Sequence, residues 1–241
     1  MTIRQAKKQD IEKILSSDPA AVSKWAVKHT YTGYKALCIY RYAHWFWLHG
    51  MKHTALRLSY YAKVKTGADI HPSAKIGAGT FIDHGVGLVI GETAEIGSGC
   101  VLYQGVTLGG TGKECGKRHP TLGNGVMVSA GASVLGPVNI GDGCKIGAGS
   151  VVLKDVPPYC TVVGVPGRIV KQEGKRLQQM DQVKLPDPVM EEFVRINKRI
   201  ENIENELSMH SCKYSLTVDN DNACATDGDS IDGNYESDKQ C

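Results

Sequence analysis

Residues 134–152 read VLGPVNIGDGCKIGAGSVV, a sequence with a regular six-residue pattern. Every sixth position is aliphatic: Val134, Ile140, Ile146 and Val152. A six-residue period fits neither an α-helix nor an alternating strand. It predicts a solenoid in which each unit supplies one short strand and one glycine-assisted corner, with the aliphatic side chain pointing inward. Three units per coil would make a triangular prism; the alternative is a set of short strands in an ordinary sandwich.

The same period extends toward the N-terminus in two earlier phases. The further aliphatic positions are Ile70, Ile76 and Ile82, then Ile90, Ile96, Leu102 and Leu108, then Leu122 and Val128. The step lengthens to eight residues between Ile82 and Ile90, and to fourteen between Leu108 and Leu122. These two longer steps predict insertions at corners of the coil.

The composition of the 241 residues is that of an ordinary soluble globular protein, with 41% hydrophobic and 22% charged residues. A formal net charge of +3 gives no reason to expect nucleic-acid binding. The most apolar early stretch, residues 34–48, is too short and too charged to span a membrane. Without an apolar secretion signal, and with eight cysteines but no CxxC pair, we expect reduced thiols in a cytoplasmic protein.

Four regions are expected along the chain. Residues 1–65 are predicted to be helical and residues 66–170 to form the solenoid. Residues 171–210 form an extension whose helix carries apolar residues at alternating spacings of three and four: Phe193, Ile196, Ile200, Ile203 and Leu207. This seam fits a three-stranded coil or packing back onto the prism. Residues 211–241 hold seven acids against Lys213 and Lys239, which predicts a flexible tail.

The two insertions carry polar residues that suit a binding site. Asp83 and His84 stand beside Gly85 in the first, where the histidine is either a ligand-binding residue or a surface turn residue. The second insertion, residues 109–121, contains Arg118 and His119 and is either an anion-binding loop or a solvated basic loop. It does not match the phosphate-binding pattern GxxxxGK[ST], because the frame lacks the first glycine and the final hydroxyl residue.

Several motifs resemble one family in order and spacing over residues 15–170. They are Asp-Ile-His-Pro at 69–72, Asp-His at 83–84, Gly-Glu-Thr at 91–93, Val-Thr-Leu-Gly-Gly-Thr-Gly-Lys at 106–113, Arg-His-Pro at 118–120 and Gly-Val-Pro at 164–166. The chain resembles the serine O-acetyltransferase family of hexapeptide-repeat acyltransferases. That resemblance implies an α+β fold: an N-terminal helical region, a left-handed parallel β-helix, then a C-terminal helix and flexible tail. The left hand is an exception to the usual crossover rule.

The resemblance also implies an activity, the transfer of acetyl from acetyl-CoA to the hydroxyl of L-serine, and roles for six residues. His84 would be the general base and Asp69 would orient its ring, although Asp69 could instead cap the first coil. Arg118 and His119 would bind the serine carboxylate. Asp83 and Asp18 would bind its ammonium group. Asp18, which precedes a proline, could also be a helix N-cap.

For acetyl-CoA, the resemblance implies a groove between adjacent prisms, so that two subunits share each site. Gly110, Ala130 and Ala148 would flank its pantetheine, Lys145 would meet its phosphates, and no metal is expected. The implied assembly is a homotrimer or a dimer of trimers, with L-cysteine as feedback inhibitor. A complex with O-acetylserine sulfhydrylase is less expected, because the chain ends in Cys241 rather than isoleucine.

Three alternatives stay open from the residues. The chain could acetylate the hydroxyl of a sugar or xenobiotic, or be a silent scaffold for the sulfhydrylase. It could also be a γ-type carbonic anhydrase holding zinc through three histidines. The repeat region offers His71, His84 and His119, but no pair among them is spaced five apart, which disfavours zinc.

Overall fold

Four helices precede the strands in a computed structural model that describes residues 2–112, 116–172, 192–204 and 206–207. They are α1 (Ile3–Ser17), α2 (Lys24–Thr30), α3 (Thr32–Leu48) and α4 (Lys52–Thr66). Thr2 begins α1 with a capping box completed by Gln5, and the Ser23 side chain caps α2. The helices end where β1 begins, so α4 leads directly into the repeat.

The repeat folds as a series of very short strands. Within the described residues they are β1 (Asp69–Ile70), β2 (Lys75–Ile76), β3 (Phe81–Ile82), β4 (Val89–Ile90), β5 (Glu95–Ile96), β6 (Val101–Leu102), β7 (Thr107–Gly109), β8 (Thr121–Leu122), β9 (Met127–Val128), β10 (Ser133–Leu135), β11 (Asn139–Ile140), β12 (Lys145–Ile146), β13 (Val151–Val152), β14 (Cys160–Val163) and β15 (Arg168–Gln172). Each strand from β1 to β13 contains one of the periodic aliphatic residues, and all of these are at most 9% exposed. The predicted inward positions are therefore confirmed.

The strands form three sheets, because each strand from β1 to β10 pairs in parallel with the third strand after it. Sheet A is β1-β4-β7-β10-β13, sheet B is β2-β5-β8-β11, and sheet C is β3-β6-β9-β12-β14 with β15 added antiparallel. Ile90 lies opposite Leu108, one coil of eighteen residues later. This pairing confirms a parallel-strand solenoid with three sides and excludes the sandwich alternative.

The corners of the prism form edges that run along its axis. The corners that join sheet C to sheet A form what we call the CA edge, which consists of residues 83–88, 103–106, 129–132 and 147–150. The corners that join sheet A to sheet B form the AB edge, whose described residues are 71–74, 91–94, 110–112, 116–120 and 136–138. Backbone hydrogen bonds connect successive corners of the CA edge, as from Gly105 N–H to the Val86 carbonyl. A side chain on one corner therefore keeps a fixed place relative to the next.

A buried ion pair fastens two helices to the prism. Arg41 of α3 donates to both carboxylate oxygens of Asp10 of α1, at 2.7 and 2.8 Å. Its guanidinium also donates to the Gly77 carbonyl at 3.1 Å, and Asp10 accepts from the Thr80 N–H at 3.2 Å. Gly77 and Thr80 belong to the corner that joins β2 to β3, so this pair holds α1 and α3 against the corner between sheet B and sheet C.

Residues 1–188 make one compact unit and residues 189–241 a second. Within the second unit, residues 192–204 and 206–207 are helical, and the apolar seam from Phe193 to Leu207 is 44–64% exposed. The predicted tail at 211–241 and most of the extension at 171–210 lie outside the described residues. In the part of the chain that the structure describes, no helix has the length and apolarity to cross a membrane.

Candidate active site

His84 occupies the corner where the first insertion interrupts the repeat. Its backbone is in the left-handed region at φ +57°, which is uncommon outside glycine. The Thr32 hydroxyl at the start of α3 donates to the His84 carbonyl at 2.5 Å and holds this turn. The imidazole itself is 76% exposed. A strained turn that presents a histidine ring to solvent is typical of functional sites.

Two carboxylates share a small cleft with this ring. The cleft has a volume of about 330 Å³ and is lined by Asp18, Ala20, Thr30, Tyr31, Thr32, Gly33, Asp83 and His84. Asp83 Oδ1 lies 3.7 Å from His84 Nε2. The Tyr31 hydroxyl donates to Asp18 Oδ2 at 2.6 Å, and the Ala20 N–H donates to Asp18 Oδ1 at 2.8 Å. The structure thus brings together three of the predicted site residues: Asp18, Asp83 and His84.

The cleft has an excess of negative charge. Burial raises the pKa of Asp83, and the nearby Asp18 carboxylate raises it further, while His84 opposes both. Burial and the hydrogen bond to Asp18 raise the pKa of Tyr31 to about 12, so Tyr31 stays a donor. Two carboxylates crowded in this way favour a bound cation, which would relieve their mutual repulsion.

Asp18 does not have the capping role considered from the sequence. It is the C-cap of α1, and its N–H donates to the Ile14 carbonyl. The next helix begins six residues later under the Ser23 cap. The N-cap expectation was wrong because Pro19 follows a helix end here instead of opening a new helix.

Asp69 faces a lysine. Lys63 Nζ, in the last turn of α4, lies 2.7 Å from Asp69 Oδ2. Both residues and His84 belong to the described part of the chain, and there Asp69 makes neither a hydrogen bond nor an ion pair with His84. The expected orienting contact is therefore not formed in this conformation, in which Asp69 pairs with Lys63.

Arg118 and His119 are held by the Gly-Glu-Thr corner on the AB edge. Arg118 Nη2 lies 2.8 Å from Glu92 Oε2. The Thr93 hydroxyl accepts from the backbone N–H groups of Arg118 and His119, each at 3.1 Å. The Thr93 N–H donates to His119 Nδ1 at 3.2 Å, so this nitrogen is an acceptor.

These contacts set the tautomer of His119. With Nδ1 accepting, the neutral ring carries its proton on Nε2. Burial lowers the pKa of His119, and the Arg118 charge lowers it further, so the neutral form dominates near neutral pH. A Cβ at Gly91 would come within 1.9 Å of His119 Cδ2, and glycine is therefore required there. The corner holds a guanidinium and, on a buried ring, an Nε2–H donor, a pair whose chemistry suits a carboxylate.

The two groups of predicted substrate residues lie on different edges of one prism. Asp83 and His84 are on the CA edge, whereas Arg118 and His119 are on the AB edge, with sheet A between them. The cleft beside Arg118 is a separate one of about 420 Å³, lined in part by Glu92 and Thr93. A single chain therefore does not bring all of these residues to one substrate.

The predicted cofactor residues are also divided. Ala130 and Ala148 lie on the CA edge with His84, where the Gly149 N–H bonds to the Ala130 carbonyl. Gly110 lies on the AB edge, against the Arg118 carbonyl. Lys145 lies on β12 in sheet C and is half-buried. Positions 130–131 and 148–149 of the CA edge are alanine and glycine in both corners.

Three further residues near the site belong to none of the sequence motifs. Tyr31 and Thr32 line the cleft, and Lys63 holds Asp69. Their partners lie between 6 and 52 residues away in the sequence, so no local motif marks them. A cavity of about 1500 Å³ among the helices is rich in lysines and contains none of the predicted site residues. Among the described residues no cluster of histidine, cysteine or acidic side chains could hold a metal.

Comparisons with known proteins bear directly on this arrangement. Residues 119–154 match the family described as bacterial transferase hexapeptide (six repeats). The chain is 49% identical to the serine acetyltransferase of Synechococcus elongatus over 198 residues, 82% of this chain and 81% of that protein. It is 48% identical to the serine acetyltransferase of Bacillus pumilus over 207 residues, 86% of this chain and 95% of that one.

Solved structures show the same likeness. The serine acetyltransferase of Vibrio cholerae has a TM-score of 0.72 at 46% identity, covering 76% of this chain and 71% of that chain. The Neisseria gonorrhoeae enzyme in complex with serine has a TM-score of 0.68 at 43% identity, covering 70% and 69%. The Brucella abortus enzyme in complex with coenzyme A has a TM-score of 0.70 at 42% identity, covering 71% and 68%.

Proposed function

This chain belongs to the serine acetyltransferase family of hexapeptide-repeat transferases, and from that membership we propose how its own residues carry out the reaction. The enzyme transfers the acetyl group of acetyl-CoA to the hydroxyl of L-serine, giving O-acetyl-L-serine and CoA, the first step of cysteine biosynthesis. The observation that carries the residue assignment is the exposed His84 ring in a cleft with two carboxylates.

His84 acts as the general base. It takes the proton of the serine hydroxyl as that oxygen attacks the thioester carbonyl, so a C–O bond forms. When the C–S bond breaks, the imidazolium returns the proton to the leaving thiolate of CoA. The Asp69 carboxylate orients the ring in the reactive complex, for which it must leave Lys63. An exposed ion pair of this kind is weak enough to permit that exchange.

Asp18 and Asp83 bind the serine ammonium group, because they are the carboxylates beside His84. The serine carboxylate requires Arg118 and His119, which one chain places on another edge. We therefore assign these two residues to a neighbouring copy, whose AB edge faces the CA edge across the groove. This pairing favours a homotrimer, in which each copy supplies both edges.

The remaining assignments follow from the same arrangement. Acetyl-CoA lies in the groove, with its pantetheine along Ala130 and Ala148, and with Gly110 and Lys145 as further contacts. L-cysteine carries the same ammonium and carboxylate groups as L-serine, so it competes for the same residues as a feedback inhibitor. The β-helix is left-handed, in keeping with the family resemblance. Pairing of trimers, sulfhydrylase binding and cytoplasmic location stay predictions.

The test is the release of CoA thiol from acetyl-CoA with L-serine as acceptor. Homoserine, threonine and a galactoside serve as competing acceptors. We expect His84→Ala to lower kcat by about 10²- to 10⁴-fold, the usual contribution of a general base. His53→Ala, which changes an exposed histidine at the start of α4, is the matched control and should keep full activity.

Three results would change the proposal. Undiminished turnover by His84→Ala would remove the base from the mechanism. A galactoside used better than L-serine would change the acceptor. Release of CoA unaffected by L-cysteine would remove the inhibitor from the shared site.

A further inference from the structure

The C-terminal half of α4 and the residue after it are hydrogen-bonded to β1 and to the CA edge of the prism. The Ser59 hydroxyl donates to the Ile70 carbonyl of β1 at 2.6 Å. The Gly67 carbonyl, just past the end of α4, accepts from the Gly87 N–H at 2.9 Å, and Gly87 belongs to the corner that holds His84. Lys63 lies between these two attachments, so the position of its backbone beside β1 and the His84 corner is fixed.

Lys63 contacts the carboxylate that the reaction requires. Its ammonium lies 2.7 Å from Asp69 Oδ2, with the two side chains 55% and 41% exposed. The hydrogen bond from Lys63 to Asp69 raises the pKa of Lys63, so this group stays cationic across the working pH range. Asp69 can therefore orient His84 only in competition with a permanent positive charge.

The other titratable groups near Asp69 and His84 do not place a positive charge beside the Asp69 carboxylate at neutral pH. Near Asp69, His71 is the further titratable neighbour, and burial lowers its pKa, so it is neutral near pH 7. Near His84, the charged neighbour is Asp83, with Asp18 and Tyr31 across the cleft. In the described part of the chain, Lys63 is the cation that forms an ion pair with Asp69.

We propose that Lys63 is a positioning residue for acetyl transfer, a role that rests on the proposed function. It competes with His84 for the Asp69 carboxylate and thereby limits how strongly the histidine binds its proton. When Lys63 releases Asp69, the carboxylate stabilises the imidazolium and the base becomes stronger. When Lys63 holds Asp69, the imidazolium is less stable and gives its proton to the leaving thiolate more readily.

The sign of the expected pH effect follows from this competition. Replacing Lys63 by methionine removes a positive charge and frees the carboxylate, and both changes favour the protonated histidine. The base is then neutral only at higher pH, so the acidic limb of the kcat/KM profile moves upward. For an exposed ion pair the shift is about 0.5 pH unit, and it should shrink at high ionic strength.

The experiment measures kcat/KM for L-serine with the full chain from about pH 5.5 to about pH 9. Lys63→Met should shift the acidic limb upward, and Lys63→Arg should restore the wild-type profile because it keeps the charge. Lys8→Met is the control, since Lys8 forms a similar exposed pair with Glu12 on α1 at 3.8 Å. In an Asp69→Asn background, Lys63→Met should shift the profile much less than in the wild type.

The outcomes separate this inference from the proposed function. An unshifted profile for Lys63→Met, while His84→Ala is inactive, would overturn the role of Lys63 and leave the base assignment intact. Full activity of His84→Ala would overturn the proposed mechanism itself. An equal shift with and without Asp69 would show that Lys63 acts by charge on His84 directly, which contradicts competition for the carboxylate. Lys63→Gln provides a second neutral variant if the methionine variant is unstable.

Discussion

At the scale of single residues, Asp83 has a position that favours binding over stability. The carboxylate is half-buried beside Asp18, and both burial and that neighbour raise its pKa. An acid whose pKa is raised on folding destabilises the folded chain at pH values above that pKa. The destabilisation fades as the pH falls through the raised pKa toward the ordinary value. A substrate ammonium group would offset the same repulsion, which explains why the carboxylate is tolerated.

We expect Asp83→Asn to stabilise the protein without substrate and to weaken serine binding. The KM for L-serine should rise about tenfold or more, because a charge-assisted contact is lost. The thermal midpoint at neutral pH should rise, and this gain should vanish in acid, where wild-type Asp83 is protonated. Glu12→Gln, an exposed acid on α1, is the control for a general change of charge. An unchanged KM would exclude Asp83 from the substrate site.

At the scale of elements, the Asp10–Arg41 pair decides how α1 and α3 meet the prism. Asp10 is fully buried and Arg41 is 8% exposed. Burial raises the pKa of Asp10, and the bidentate guanidinium opposes that change. A charge left alone in this place would be costly, since desolvation is no longer offset by its partner. The cleft depends on this junction, because α1 supplies Asp18 and α3 supplies Thr32.

Replacing only one partner of the Asp10–Arg41 pair should therefore lower the free energy of unfolding more than replacing both partners. We expect Arg41→Met to lower the free energy of unfolding by about 3–5 kcal/mol, as is typical when a buried charge loses its partner. The double variant Asp10→Leu/Arg41→Met should recover part of that loss. Urea unfolding at fixed protein concentration measures both. A double variant as unstable as the sum of the single ones would show that the two charges are not coupled.

At the scale of the whole molecule, the proposed site requires two copies of the chain. The His84 ring is exposed on the CA edge, whereas the half-exposed Arg118 guanidinium and the buried His119 lie on the AB edge. Sheet A lies between the two edges of one chain. Each copy would therefore contribute half of two different sites.

Two inactive variants should complement each other. His84→Ala and Arg118→Ala chains, mixed after dissociation and reassembled, would form sites in which one copy supplies His84 and its neighbour supplies Arg118. Random pairing restores about a quarter of the sites. CoA release by the mixture, set against each variant reassembled with itself, gives the measurement. A mixture as inactive as its components would place both groups in a single chain.

The period of the repeat by itself determined much of the architecture. Aliphatic residues at every sixth position predicted the buried strand positions, since each unit contributes the same inward side chain and the same corner. The longer steps predicted insertions, and the first of these presents His84 at an exposed corner. Such features are local: each follows from a residue and its near neighbours in sequence.

Tertiary structure decided the partners of the charged side chains. Asp18 joins His84 in one cleft across 66 residues, Asp69 pairs with Lys63, and Arg41 reaches Asp10. The division of the site between two edges also became visible only with the strand order. A carboxylate accepts any donor that packing brings near, and packing depends on helices and coils far apart in sequence. The chemical type of these residues could therefore be read from the sequence, whereas their contacts depended on the fold.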